Sequence, residues 1–248
     1  MLPGHSAVYY KGGVLADPDA TLYVRTTWNI DSSGQFWLSP TPDKPFSTGF
    51  ANHGLQEPRV FVWAKLRERS TGKPLLVGCT HFDNNPPSQE LSADLAIERL
   101  EGLRQGEYAD APVLVMGDFN SQNVSTPSFG SSAHFNNSEA FKRLTGTGDA
   151  RGRHALALVE TCDLAASRQV VNRTAAHKVA QPPWPASEEP LGGERIDHVF
   201  VYPSQSFAVH SYVVDDTAYG PKGRTPSDHR PVAVSLSLRV SVQRAGAA

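Results

Sequence analysis

The chain has 248 residues, 39% of them hydrophobic and 19% charged, enough length and apolar material for one domain with a buried core and unlike a disordered or fibrous composition. The formal net charge is −2, so the global basic excess that accompanies nonspecific nucleic-acid binding is absent. No run approaches the length and apolarity of a transmembrane helix, and two cysteines, Cys79 and Cys162, are too few for a disulfide framework or a cysteine zinc site and read as buried free thiols.

The start of the chain, Met1-Leu2-Pro3-Gly4-His5, lacks a basic segment followed by an apolar one and is not expected to act as a secretory signal. Asn123, Asn136 and Asn172 begin Asn-x-Ser/Thr sequons, which matter only in a secreted protein. β-branched and aromatic runs bounded by turn residues predict strands at Thr21–Trp28, Gln35–Leu38, Arg59–Leu66, Leu75–Thr80, Val113–Met116, Ile196–Tyr202, Phe207–Val214 and Val232–Val240. Between the fourth and fifth runs, Ala93, Ala96, Ile97, Leu100 and Leu103 share one helical face and Asp94, Glu98, Arg99 and Glu101 take the others. A shorter helix is predicted at Ser138–Leu144, with Ser138 placed to cap it. Residues 120–138 and 181–193 read as loops rather than linkers, since strand signals resume directly after each.

The residues that carry chemistry sit at the ends of these strands. Val113-Leu114-Val115-Met116-Gly117-Asp118-Phe119-Asn120 is an apolar strand that ends in glycine and presents Asp118 and Asn120, two apart and so able to point the same way. A carboxylate there can orient or deprotonate a water, and an amide can hold a phosphoryl oxygen; an Asx turn closing the strand fits the same residues. His81 stands likewise just past Leu75–Cys79. Arg195-Ile196-Asp197-His198 and Ser227-Asp228-His229-Arg230-Pro231 place polar groups at the beginning of strands. Strand ends and strand starts share one edge when the strands run in opposite directions. Asp228 offers a metal-ligating carboxylate beside the His229 imidazole, and a second acid such as Asp197 can fix the tautomer of that imidazole. Each segment alone suits a structural role; four of them at four strand edges point to a site.

Taken in order, Phe36-Trp37-Leu38-Ser39-Pro40-Thr41-Pro42, Thr80-His81-Phe82-Asp83, Gly117-Asp118-Phe119-Asn120, Arg195-Ile196-Asp197-His198-Val199-Phe200 and Ser227-Asp228-His229-Arg230-Pro231 resemble the motif series of the endonuclease/exonuclease/phosphatase, or deoxyribonuclease-I-like, family. The resemblance runs from about Gly4 to Leu238, within a core of about 4–240 in a single domain spanning 1–248. It implies a four-layer α/β sandwich, two packed mixed β-sheets flanked by helices, with the active site at one edge. It implies divalent-metal-dependent hydrolysis of a phosphoester by a phosphodiesterase, nuclease or phosphatase. By this resemblance Asp118 orients or activates water, Asn120 and His81 contact phosphoryl oxygens, and Asp228 ligates the cation with help from Asp118 and Asn120. His229 stabilises the transition state or acts as base, oriented by Asp197, and the proton goes to either Asp118 or His229. Hard oxygen ligands and a phosphate substrate suit Mg²⁺ or Mn²⁺. A monomer is expected, with a nucleic acid, a phospholipid headgroup or a sugar phosphate as the phosphoester.

The chain departs from that pattern before its first matched motif. The family's early Asn and its Gln-Glu pair ahead of Phe36-Trp37-Leu38-Ser39 have no counterpart here, which leads us to expect that the N-terminal strands of the domain are missing, about three strands and one or two helices at typical lengths. Leu55-Gln56-Glu57 lies after the motif rather than before it, so Glu57 reads as a decoy, and Asn29 as an ordinary strand-end asparagine. Gln89 stands where the family tends to have Arg. A catalytically inactive remnant that at most binds a phosphorylated ligand is the alternative function, and weak Mg²⁺ binding is expected from the lost ligands. Trp184, in the Pro-rich loop before the Asp197 strand, is a candidate stacking surface for a base or other ring.

Overall fold

The computed structural model describes residues 3–9, 20–50, 58–123, 138–148, 154–169, 195–215, 227 and 229–239. Glu57, Trp184 and Asp228 lie outside these. The chain folds as an α/β sandwich. Its large sheet is built from β3 (Trp28–Trp37), β4 (Val60–Glu68), β5 (Pro74–His81), β6 (Val113–Asp118), β7 (Val159–Glu160) and β9 (Asp197–Tyr202), in the order β3-β4-β5-β6-β9-β7. Among the described residues of this sheet, only β5 and β6 run parallel. A parallel pair needs a crossover, and α1 (Ser88–Leu103) supplies it.

Alternation along each strand decides which layer it faces. Phe61, Leu76, Val113, Val115 and Phe200 point to the helical layer, where they pack with Ala93, Ala96, Ile97 and Leu100 of α1 and with Phe141 and Leu144 of α2 (Glu139–Thr145). Their neighbours Val60, Val62, Ala64, Leu75, Val77 and Val201 point the other way, against Leu22, Val24, Phe207 and the partly buried Leu236 and Leu238. That opposite layer holds a two-stranded sheet, β1 (His5–Tyr9) with β2 (Thr21–Arg25), and a three-stranded one of β8 (Ser167–Gln169), β10 (Phe207–Val214) and β11 (Val232–Leu238) in the order β11-β10-β8.

Two expectations need correction. Thr21–Trp28 is not one strand: it is cut at Thr26–Thr27, where the chain leaves the pairing with β1 and enters β3, which continues through Gln35 to Trp37. Ser138 is the residue before α2, but its side chain makes no capping hydrogen bond; the helix instead closes on Gly146 in the left-handed region. β1, β7, β8 and the short α3 (Thr161–Leu164) have too few residues for a periodic signal.

Candidate active site

The site is laid out by strand register. Across the parallel pair, His81 is the partner of Asp118; across the antiparallel pair on its other side, Asp118 is the partner of Asp197. The last residues of two strands and the first of a third therefore stand in one transverse row. Gly117 makes the row possible. At φ 149° a Cβ on this residue would lie 1.9 Å from the Thr80 carbonyl oxygen, so no other side chain fits where β6 closes on β5. Beyond the strands, Phe82 N–H donates to the Asp118 carbonyl and Phe119 N–H to that of Ile196, each at 2.9 Å, which carries both ladders one residue further.

His229, just ahead of β11, completes the group. Its Nδ1 donates to Asp197 Oδ2 at 2.7 Å, and its Nε2 lies 3.7 Å from Asp118 Oδ2. His81 Nε2 is 3.4 Å from the same oxygen. Asp118, Asp197 and His229 each offer a ligand atom within 4.8 Å of the others, and their side chains retain 14% to 23% of their exposure, so the cleft is reachable from solvent. The two oxygens of Asp118 divide their work. Oδ1 accepts the Asn120 N–H at 2.8 Å, an Asx turn, while Oδ2 faces the two imidazoles. Burial and then the negative charge of Asp197 push the Asp118 carboxyl up to about 6, as expected for like charges directly opposite on neighbouring strands.

Asn120 has φ 47°, a conformation that asparagine tolerates better than most residues. Its Nδ2 donates to the Phe82 carbonyl at 2.9 Å, tying the ends of β5 and β6 together. Gln89, fully buried near the start of α1, donates from Nε2 to the Asn120 carbonyl. A neutral amide thus braces this turn where the family tends to use Arg. Asn29 lies exposed in β3, opposite Arg67 and away from this cleft.

Behind the row is a buried polar cluster that sequence reading passed over. Glu160 of β7 is 1% exposed and binds Arg195, Asn123 Nδ2 at 2.7 Å and His198 Nδ1 at 2.7 Å. His198 Nε2 donates to the Ser121 carbonyl at 2.8 Å. Burial acts to raise the Glu160 carboxyl, but His198, Arg195 and Asn123 together hold it below the usual range. One carboxylate therefore anchors both the loop after Asp118, through Ser121 and Asn123, and the start of β9, through Arg195 and His198. The sequence signal was an acid inside the otherwise apolar run Leu156-Ala157-Leu158-Val159 to Thr161-Cys162.

Carboxylates and imidazoles thus converge at one edge of a mixed α/β sandwich. The chain belongs to the Endonuclease/Exonuclease/phosphatase family, whose sequence pattern matches residues 5–229. Among solved structures, a mannosyl-6-phosphatase from Bacteroides thetaiotaomicron VPI-5482 is 27% identical with a TM-score of 0.71, over 96% of this chain and 78% of that one. A second family protein from Bacteroides thetaiotaomicron is 26% identical with a TM-score of 0.69, over 96% and 77% of the two chains. TDP2 from D. rerio, complexed with a single strand DNA product, shares the fold at 14% identity and a TM-score of 0.55, over 94% and 77%. No curated protein matches the chain.

Proposed function

We propose that this protein hydrolyses a phosphoester with the help of a divalent cation, Mg²⁺ or Mn²⁺. The observation that carries the proposal is the convergence of His81, Asp118, Asp197 and His229 at adjacent strand ends. The donor set fits such an ion: a carboxylate oxygen of Asp118 faces the cleft, and the burial and the like charge of Asp197 that disfavour its ionisation are offset by a nearby dication. Asp118 would hold the ion, together with Asp228, which lies outside the described residues. When bound, the cation polarises the phosphoryl group and offsets the charge that develops on it.

The protein's own groups then have distinct tasks. Asp197 accepts the Nδ1 proton of His229 and so turns Nε2 toward Asp118, where water and phosphate would lie. His81 presents its Nε2 to the same space. Asn120 keeps a second amide N–H beyond its bond to Phe82 and would contact a phosphoryl oxygen. The likeness to a sugar 6-phosphatase over 96% of the chain supports a sugar phosphate ahead of a nucleic acid as the substrate class.

Turnover of p-nitrophenyl phosphate, bis-p-nitrophenyl phosphate and mannose 6-phosphate, with Mg²⁺, Mn²⁺ or chelator, tests the proposal. The expected result is metal-dependent hydrolysis that falls by about 10³-fold in kcat in Asp197→Asn, which spoils the His229 tautomer. No hydrolysis of any ester by folded, metal-saturated protein would leave only the binding of phosphorylated ligands.

A further inference from the structure

The two cleft histidines are held in opposite ways. His229 Nδ1 faces a carboxylate. His81 Nδ1 faces a guanidinium: Arg59 Nη1 lies 2.9 Å from it. Arginine has five donors and no acceptor and stays charged at any pH a protein survives. It can only donate, so His81 Nδ1 must offer a lone pair, and the ring proton must sit on Nε2.

The placement of Arg59 is itself fixed by the sheet. Its carbonyl accepts the Leu38 N–H at 2.8 Å, which pins the residue between β3 and β4 at their cleft end. It stands two residues before Phe61, whose partner on β5 is Thr80, the residue before His81. The guanidinium meets the His81 ring at Nδ1, and Nε2 lies 3.4 Å from Asp118 Oδ2.

We propose that Arg59 is a positioning residue that holds His81 as the Nε2–H tautomer, making it an obligate hydrogen-bond donor to the cleft, while Asp197 holds His229 in the reverse tautomer. One residue type then fills two jobs at one site. His81 donates to a phosphoryl oxygen or to Asp118, and His229 presents Nε2 for proton transfer. The tautomer assignment stands on geometry; its catalytic consequence rests on the phosphoester reading above.

The test is ring ¹⁵N NMR of histidine-labelled protein, assigned with His81→Gln, alongside kcat on p-nitrophenyl phosphate. In the native protein His81 should show a protonated-type shift at Nε2 and an unprotonated one at Nδ1. Arg59→Lys keeps a cationic donor and should keep that pattern, with turnover within about threefold. Arg59→Glu puts an acceptor in its place; Nδ1 should gain a proton, and kcat should fall by about 10²-fold, the usual cost of one preorganised donor, while KM moves little. A native His81 with its proton on Nδ1, an unchanged ring pattern in Arg59→Glu, or equal loss in Arg59→Lys and Arg59→Glu would overturn the proposal. The NMR result decides the tautomer even if none of the esters is hydrolysed.

Discussion

Asp118, to which the proposed reaction assigns the cation, is at the same time unfavourable for folding once it ionises. Its carboxyl is raised to about 6 from an unfolded value near 3.9. A group raised in this way contributes stability that is fully present below the unfolded pKa and is lost as pH rises through the folded one. Asp118→Asn does not titrate, and its carbonyl oxygen can still accept the Asn120 N–H. In chelator we therefore expect the variant to gain on the native protein between pH 4 and pH 8 by on the order of 2 kcal/mol. That corresponds to a relative shift of about 4 to 8 °C in thermal melting for a chain of this size. Mg²⁺ at pH 8 should raise the melting temperature of the native protein and leave that of the variant nearly unchanged. A variant no more stable at pH 8 than at pH 4, relative to native, would contradict the raising of the Asp118 carboxyl by its burial and by Asp197.

At the scale of elements, the stability of the cleft depends on the pairing of β9 with β6 and β7 and on the loop that follows Asp118. Removing Glu160 strands the buried Arg195 and His198 without their anion, a change that costs about 3 to 5 kcal/mol. Glu160→Ala is expected to lower the denaturant midpoint accordingly, with Glu160→Gln intermediate because it can still accept a hydrogen bond. Because Glu160 is held below its usual pKa, its contribution is present above the unfolded value near 4.3 and is lost as pH falls through the lower folded one. Acid titration followed by circular dichroism should therefore show a transition that is weakened in Glu160→Gln. The longer strands and α1 were readable in the sequence because their apolar alternation is local and strong, and His81, Asp118, Asp197 and His229 were singled out as candidates because polar residues at the tips of apolar runs stand out. Arg59 and Glu160 were not. Each meets its partners 22 to 38 residues away, so only the sheet order reveals what they face. The break at Thr26–Thr27 was hidden for the same reason: no glycine or proline separates β2 from β3, and the two differ in which neighbour they pair with.

For the whole molecule, the net charge of −2 limits what can be drawn in from a distance. Without a surplus of cations, few counterions are released on binding a polyanion, and long-range steering is weak. We expect no retardation of a short DNA duplex by micromolar protein at physiological salt in a gel-shift assay, and a preference for a compact phosphoester in competition. Tight, salt-dependent duplex binding would favour a nuclease instead. The layered fold also separates chemistry from recognition. His81, Asp118 and Asp197 are brought side by side by the ladder hydrogen bonds of β5, β6 and β9, and Gln89, Asn120 and Glu160 brace that row from the chain between the strands. Insertions and deletions in loops between those braces leave the row in place as long as no strand slips by a residue. Such a scaffold can be re-tailored to new substrates by changing loops alone, and its descendants can diverge widely in what they recognise while breaking the same kind of bond.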